Sequence, residues 1–355
     1  MINIKRFKAL FMAGVLTVGM CVGSMSAFAN GDPVQQVPEG GEAEIVKTLE
    51  MAEGITVPDA TFRFTVTPVT PDAPPLNVED IVYTSETPMG DPEGDKYAID
   101  LSSSLGLDTA AFIHAGVYEY TIEEVANTYN GTGNDEVVYS EESYKLLVYV
   151  ANDGEGGLEV VSVTAEDNTG VKQAKINFTN VYRKDAALTI SKVTEGEYAD
   201  KTKEFDFTIT LTRAATEDSS EMTVNAKLGD QVVPVTYGVP YSFKLADGDS
   251  LVFDSLPAGT RYTVTEVGVE DGYTPSYVLT ENGQEKPSVK GAEADDLAVE
   301  NALVGENSNS VVFTNTEGSI VVTGVIMNNL PFIILIAVAV AGIAGYVAVR
   351  RKIAR

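Results

Sequence analysis

The chain has 355 residues and a formal net charge of −28 at pH 7. Acidic residues outnumber basic ones by 52 to 24, which argues against nucleic acid as a partner because its phosphates would be repelled. One cysteine and one histidine leave no basis for a disulfide framework, a Cys–His nucleophile or a zinc site. This composition is typical of a solvated extracellular protein.

The N-terminus has the layout of a secretory signal peptide. Three basic residues precede an apolar run, and an Ala-x-Ala cleavage site follows at 27–29. We therefore predict a signal peptide over 1–29 and a flexible segment over 30–43. Because Cys21 lies inside the signal peptide, the secreted protein would have no thiol with which to stabilise its fold.

The C-terminus has a second targeting layout. The uncharged stretch 332–349 is just long enough to span a bilayer, and basic residues follow it. Upstream stand Thr323 and Gly324, so the order of the parts over 319–355 resembles a Gram-positive sortase sorting signal cleaved between those two residues. Valines stand where the usual motif has its proline. A plain membrane anchor is the alternative.

An internal repeat organises the part of the chain between these ends. Four segments recur in the same order: Ile45-Val46-Lys47 with Ile190-Ser191-Lys192, ATFRFTVTPV at 60–69 with KEFDFTITLT at 203–212, AGVYEYTIEEV at 115–125 with AGTRYTVTEV at 258–267, and INFTN with VVFTN. The repeat predicts two related domains, 44–183 and 187–318, joined by a short linker at Asp185-Ala186-Ala187. Each domain is long enough to bury its own core.

Both predicted domains have the pattern of β-strands. Apolar and polar residues alternate in runs rich in Val, Thr, Tyr and Ile, and clusters of Gly, Asp, Asn and Pro separate the runs. Several short strands in about 130 residues favour an immunoglobulin-like β-sandwich. The predicted fold is therefore all-β, with two tandem sandwiches in an elongated rod.

The same alternation places charged and amide side chains on the inward face of strands. In the first domain these are Lys47, Glu124 and Asn180, each two residues from an apolar inward neighbour. A buried polar group needs a partner, so we expect the three side chains to lie together. In the second domain Lys192, Glu266 and Asn315 occupy the equivalent positions.

This trio of residue types can form a covalent bond. Burial favours the neutral forms of a lysine and a glutamate, with pKa shifts of up to ~3–5 units when burial is complete. A neutral amine is a nucleophile, while a protonated carboxyl can polarise the asparagine carbonyl and pass a proton to departing ammonia. The product is a Lys–Asn isopeptide bond, made once by the domain on itself without a cofactor or a metal. A buried Lys–Glu ion pair beside a structural asparagine is the alternative.

The repeat resembles the isopeptide-forming domains of Gram-positive pilin backbone subunits of the streptococcal FctA-like type. The stretches TISKVTEGEYADKTKEFDFTITLT and FKLADGDSLVFDSLPAGTRYTVTEVGVEDGYT carry the resemblance. It implies bonds from Lys47 to Asn180, assisted by Glu124, and from Lys192 to Asn315, assisted by Glu266. It also implies polymerisation by a sortase.

The predicted function is therefore that of a structural pilus subunit and not of an enzyme with turnover. Its expected partners are sortase, further copies of itself, peptidoglycan and accessory pilins or adhesins. Head-to-tail assembly needs an acceptor lysine at the end of the first domain far from the second, and Lys172 is the first choice, followed by Lys175. A monomeric wall-anchored adhesin or stalk protein built from the same domains is the alternative.

Overall fold

The described part of the chain is built almost entirely from β-strands, which confirms the prediction of an all-β fold. The computed structural model describes residues 42–318, except 132, 218–222, 270–271 and 294. The strands of the first half are β1 (Glu42–Ala52), β2 (Ala60–Phe62), β3 (Phe64–Pro68), β4 (Asn77–Val78), β5 (Ile81–Tyr83), β6 (Lys96–Gly106), β7 (Gly116–Glu124), β8 (Asp135–Val138), β9 (Ser143–Asn152), β10 (Leu158–Asp167) and β11 (Lys172–Gln173). A short 3-10 helix, Thr109–Ala111, precedes β7.

The remaining strands form the second half. They are β12 (Ile176–Glu195), β13 (Phe205–Thr212), β14 (Thr223–Leu228), β15 (Gln231–Thr236), β16 (Tyr241–Leu245), β17 (Ser250–Pro257), β18 (Arg261–Val267), β19 (Tyr273–Glu281), β20 (Gln284–Glu285), β21 (Val289–Lys290), β22 (Leu297–Leu303) and β23 (Asn309–Glu317). The first of them, β12, begins in the first half and extends into the second.

The 20-residue strand β12 is continuous between the two halves. Its first part pairs in parallel with β1 and its second part pairs in parallel with β23. The prediction of a linker at Asp185-Ala186-Ala187 is therefore wrong, because these residues lie within β12. Asp185 and Ala186 pair with Pro257 and Leu256 of β17, so their backbone groups have ladder partners and the chain stays extended.

Each half consists of two β-layers packed face to face. The sheet through β12 faces β11-β10-β9-β7-β3 in the first half and β16-β13-β18-β22 in the second. Phe178 of β12 lies 5.2 Å, between ring centroids, from both Phe64 and Tyr144 of the opposite sheet. Phe207 contacts Phe313 across the second half at 5.3 Å. Such buried aromatic pairs add ~0.5–1.5 kcal/mol each to the stabilisation from area burial.

Charged contacts connect the two halves beside β12. The Arg261 guanidinium lies 2.5 Å from the Glu53 carboxylate and 3.2 Å from that of Asp95. A further ion pair involves Lys184 of β12, whose ammonium lies 2.8 Å from the Glu306 carboxylate. The repeated halves are thus in direct contact at their junction.

The predicted targeting segments lie outside the described residues. These are the signal peptide over 1–29, most of the N-terminal segment over 30–43, and the sorting signal over 319–355 with Thr323 and Gly324. Within residues 42–318, no helix is both long enough and apolar enough to cross a membrane.

Candidate functional site: two buried lysine–glutamate–asparagine trios

The structure brings the three predicted residues of the first half into contact. Lys47 Nζ donates to Glu124 Oε2 at 3.2 Å and lies 3.1 Å from Oε1. Asn180 Nδ2 donates to Glu124 Oε1 at 2.8 Å. The side chains of Lys47 and Glu124 are 0% and 1% exposed, and Asn180 is fully buried. The carboxylate therefore lies between the amine and the amide in a site without water access.

The second half repeats this arrangement. Lys192 Nζ donates to Glu266 Oε1 at 2.7 Å, and Asn315 Nδ2 donates to the same oxygen at 2.7 Å. All three side chains are fully buried. In each half the glutamate therefore contacts both the lysine and the asparagine side chains.

Strand register explains why the two trios are alike. In the β1–β12 ladder Lys47 is opposite Phe178, two residues before the asparagine. In the β12–β23 ladder Lys192 is opposite Phe313, again two residues before the asparagine. Side chains two apart share a face, so each lysine and its asparagine are diagonal neighbours on adjacent parallel strands. The glutamate comes from the opposite sheet, on β7 or β18.

The surroundings of both lysines disfavour a positive charge. Burial lowers the pKa of Lys47 and of Lys192 to about 8, against the opposing effect of the paired glutamate. Burial also raises the pKa of Glu124. The rings of Phe62 and Phe205 lie 4.9 Å and 4.4 Å from the respective lysine nitrogens and contribute to the apolar enclosure. Both shifts in the first trio favour transfer of a proton from the amine to the carboxyl.

The side-chain amide of Asn180 is oriented opposite to the prediction, with its nitrogen and not its oxygen toward Glu124. The predicted chemistry has the glutamate polarise the asparagine carbonyl, but the amide nitrogen faces the carboxyl in both trios. Asn180 Oδ1 instead accepts from the backbone N–H of Ser140 at 2.7 Å. The carboxyl therefore contacts the nucleophilic nitrogen and the nitrogen that would leave as ammonia. A proton can pass between the two through a single group.

The predicted acceptor lysines lie on the surface, apart from the trios. Lys172 is exposed on β11, the edge strand of its sheet. Lys175, the second choice, lies one residue before β12, and its ammonium is 4.0 Å from the carboxylate of Asp100. An edge position leaves Lys172 accessible to another chain.

Sequence reasoning missed the backbone groups that complete the first trio. Ser140 supplies its N–H, and the carbonyl of Phe178 accepts from Lys47 Nζ at 3.1 Å. No sequence signal identifies such groups, since every residue except proline carries both. In the described part of the chain, no cluster of His, Cys, Asp and Glu side chains has the geometry of a metal site.

Two family comparisons divide the chain at β12. Residues 43–183 match the FctA family, described as a Spy0128-like isopeptide containing domain. Residues 186–317 match a family described only as a domain of unknown function. The two matches meet within β12.

Three streptococcal proteins are similar to this chain over part or most of its length. A pilin of Streptococcus pyogenes serotype M1 is 27% identical over 328 residues, covering 87% of this chain and 90% of the relative. The pilus tip adhesin Cpa of Streptococcus pyogenes is 36% identical over 107 residues, covering 30% of this chain and 14% of the adhesin. The solved major pilin protein T3.2 of Streptococcus pyogenes is 25% identical, with a TM-score of 0.36, covering 79% of this chain and 99% of that structure.

Proposed function

We propose that this chain, a Gram-positive pilin of the FctA type, is the repeating backbone subunit of a covalent cell-surface pilus, and that each half is cross-linked by a Lys–Asn isopeptide bond. The observation that carries the proposal is the duplicated trio, buried at the same register in two halves of one chain. The bonds are Lys47–Asn180 with Glu124 and Lys192–Asn315 with Glu266. The two halves act as tandem immunoglobulin-like modules of an elongated rod.

The reaction uses only groups within each trio. The lysine transfers a proton to the glutamate and attacks the asparagine Cγ as a neutral amine. The bond from Cγ to Nδ2 then breaks, and the proton passes from the glutamate to Nδ2, so ammonia leaves. The lysine nitrogen gives a second proton to the glutamate, which ends as a neutral carboxyl, and keeps one hydrogen in the new amide. Mass balance requires the loss of one ammonia per bond and no cofactor.

The same proposal extends to assembly. Sortase cleaves between Thr323 and Gly324, and the resulting threonyl group is transferred to Lys172 of the next subunit, with Lys175 the second choice. The last subunit is attached to peptidoglycan, and accessory pilins or adhesins join the polymer. The pilin relative and the exposed edge position of Lys172 support this reading.

The cross-links are tested by the intact mass of purified residues 30–323. We expect a mass lower than that of the sequence by two ammonia molecules, and tryptic peptides joined at Lys47/Asn180 and Lys192/Asn315. Glu124→Ala and Glu266→Ala should each restore one ammonia and lower the melting temperature. Glu123→Ala, which changes the outward neighbour on β7, is the matched control and should keep both bonds. A wild-type mass equal to that of the sequence would reject the proposal.

Assembly is tested by expressing the full chain with its sortase. Lys172→Ala should give monomer that is still attached to the wall, whereas Lys175→Ala should still give a ladder of polymers. Wall-released protein should end at Thr323. An undiminished ladder from Lys172→Ala would exclude that lysine as the sole acceptor, and mature protein that retains 332–349 would favour a membrane anchor.

A second candidate is a monomeric wall-anchored adhesin or stalk protein. The match of 107 residues to a pilus tip adhesin favours it, since that relative carries the similar segment in a different protein. The ladder of covalent multimers distinguishes the two functions, because a monomeric adhesin would run as one band under denaturing conditions.

A further inference from the structure

The two trios differ at the carbonyl oxygen of the asparagine. In the first, Asn180 Oδ1 accepts from the Ser140 backbone N–H at 2.7 Å. In the second, Asn315 Oδ1 is buried and has no hydrogen-bond partner among the described residues. This is the atom on which negative charge develops when an amine attacks the amide.

The path of the chain explains the difference. β8 pairs with β12 up to Val138, opposite Val181, and then leaves that sheet to reach β9 in the other. Extending the register by two residues would place Ser140 opposite Thr179, but the departing chain turns its N–H toward the Asn180 side chain. In the second half β19 continues its pairing past the asparagine, and the residue opposite Asn315 is Pro275, which has no N–H.

The crossing segment is held in place by contacts of its own. The hydroxyl of Tyr139 accepts from the backbone N–H of Tyr129 at 2.6 Å and shares a hydrogen bond with Thr128. The hydroxyl of Ser140 accepts from the N–H of Glu142 at 3.2 Å. The donor is therefore positioned before any reaction occurs, which is the condition for electrostatic stabilisation of a transition state.

We propose that the Ser140 N–H is a catalytic hydrogen-bond donor for the first cross-link, and that the second cross-link forms without an equivalent backbone donor. The inference rests on the proposed isopeptide reaction. When Lys47 Nζ attacks Cγ of Asn180, the electron pair of the carbonyl bond moves to Oδ1, and the Ser140 N–H stabilises that oxyanion. Collapse restores the carbonyl and expels Nδ2 as ammonia, with the proton delivered by Glu124. At Asn315 no backbone N–H in the part of the chain that the structure describes faces the corresponding oxygen, so only the groups of the trio stabilise its negative charge.

The test follows both bonds in one molecule. Residues 30–323 are purified unreacted from inclusion bodies in urea, refolded by dilution, and quenched with acid at timed intervals. Mass spectrometry of tryptic digests then counts each bridged peptide. Ser140→Pro removes the N–H, and Ser140→Ala is the control that removes only the hydroxyl. The Lys192–Asn315 bridge serves as an internal reference.

We expect Ser140→Pro to slow the Lys47–Asn180 bridge by about 100-fold, the lower range for loss of one oxyanion donor. Ser140→Ala should leave its rate near that of the wild type, and the second bridge should be unchanged in both variants. A first bridge that forms at the wild-type rate in Ser140→Pro would overturn the inference. Absence of both bridges in the wild type would instead reject the isopeptide reaction itself.

A second variant covers the case in which proline prevents folding of the first half. In the Ser140→Ala chain, the amide nitrogen of residue 140 is replaced by an ester oxygen through incorporation of lactic acid. This change removes the N–H but permits the same backbone conformation. A similar slowing of the first bridge supports the role of the N–H, and an unchanged rate excludes it.

Discussion

Lys47 and Glu124 are residue types that ordinarily remain in water, yet both side chains are buried. A buried ion pair rarely recovers the full cost of desolvation, so the unreacted trio is a weak source of stability. The proposed bond changes this balance, since a neutral amide replaces the lysine amine and ammonia departs into solvent. The glutamate is left as a buried carboxyl whose raised pKa favours its neutral form.

The unreacted lysine should make stability depend on pH. Asn180→Ala prevents the first bond and leaves Lys47 with a pKa of about 8, against ~10.4 in an unfolded chain. Between these values the unfolded chain binds more protons, so the free energy of unfolding should rise as pH increases from about 8 to 10. Below about pH 8 the destabilisation caused by the buried, charged Lys47 is fully present. Urea unfolding of Asn180→Ala at several pH values measures this change in the free energy of unfolding.

The wild type is the reference for that experiment. Its Lys47 no longer titrates once the bond has formed, so the difference in stability between wild type and Asn180→Ala should shrink with rising pH. Asn177→Ala, a change at an outward neighbour on β12, should behave as the wild type does. A difference that stays constant above pH 8 would contradict the lowered pKa of Lys47.

At the scale of elements, β12 joins the two proposed bonds. It carries Asn180 toward its start and Lys192 toward its end. A force applied between Lys172 and Thr323 would pass along β12 to Lys192, across the second bond to Asn315, and out along β23. Strands β13 to β22 lie outside this covalent path, and so do the residues that precede Lys172. The hydrogen bonds of those strands would carry no load.

Single-molecule pulling should reveal this path. Residues 30–323 contain no cysteine, so Lys172→Cys and Thr323→Cys provide unique handles. Wild type should show no long unfolding step. Glu266→Ala should release the loop between Lys192 and Asn315, roughly 120 residues or about 400 Å at ~3.4 Å per residue.

The matched control for the pulling experiment is Glu124→Ala. It removes the first bond, which lies off the path between the two handles, and should therefore add no comparable step. A 400 Å step in Glu124→Ala, or its absence in Glu266→Ala, would show that force follows another route through the molecule.

At the scale of the whole molecule, the junction between the halves is tightly packed. Gly259, in a left-handed conformation with φ of +94°, lies so close to Ala52 that an added Cβ would be 2.4 Å from the alanine Cβ. Two residues after Gly259, Arg261 forms its ion pairs with Glu53 and Asp95. In the proposed tension-bearing rod, such packing would resist bending, which would otherwise load the single strand β12.

We expect Gly259→Ala to destabilise the junction. The substitution costs ~1–2 kcal/mol for a side chain at positive φ and a further ~1–3 kcal/mol for the clash. Gly248→Ala is the control, because its φ is +85° and an added Cβ would meet nothing within 4 Å. Urea unfolding and limited proteolysis of residues 30–323 measure the effect. Equal losses in the two variants would show that contact with Ala52 contributes nothing.

Much of the candidate site was predictable from residue order. The alternation of apolar and polar side chains placed Lys47, Glu124 and Asn180 inward, and the repeat pointed to the same residue types in the second half. Side-chain parity is a local property with a period of two, so it can be read along each strand separately. The all-β class follows from the same local pattern.

Other features depend on contacts between distant parts of the chain. The sequence predicts a linker at Asp185-Ala186-Ala187. Only the pairing of Asp185 and Ala186 with β17 shows that the strand continues there. The direction of the Asn180 amide depends on Ser140, 40 residues away, through a backbone group that is common to nearly all residues.

The strand class, the repeat and the inward position of both trios can therefore be predicted from residue order, because they follow from residue type and local period. The identity of neighbouring strands, the register that sets each lysine diagonal to its asparagine, and the donor that faces one amide but not the other arise only in the folded protein. These depend on strand pairing over long sequence separations and on backbone groups, and neither is specified by the identity of a single residue.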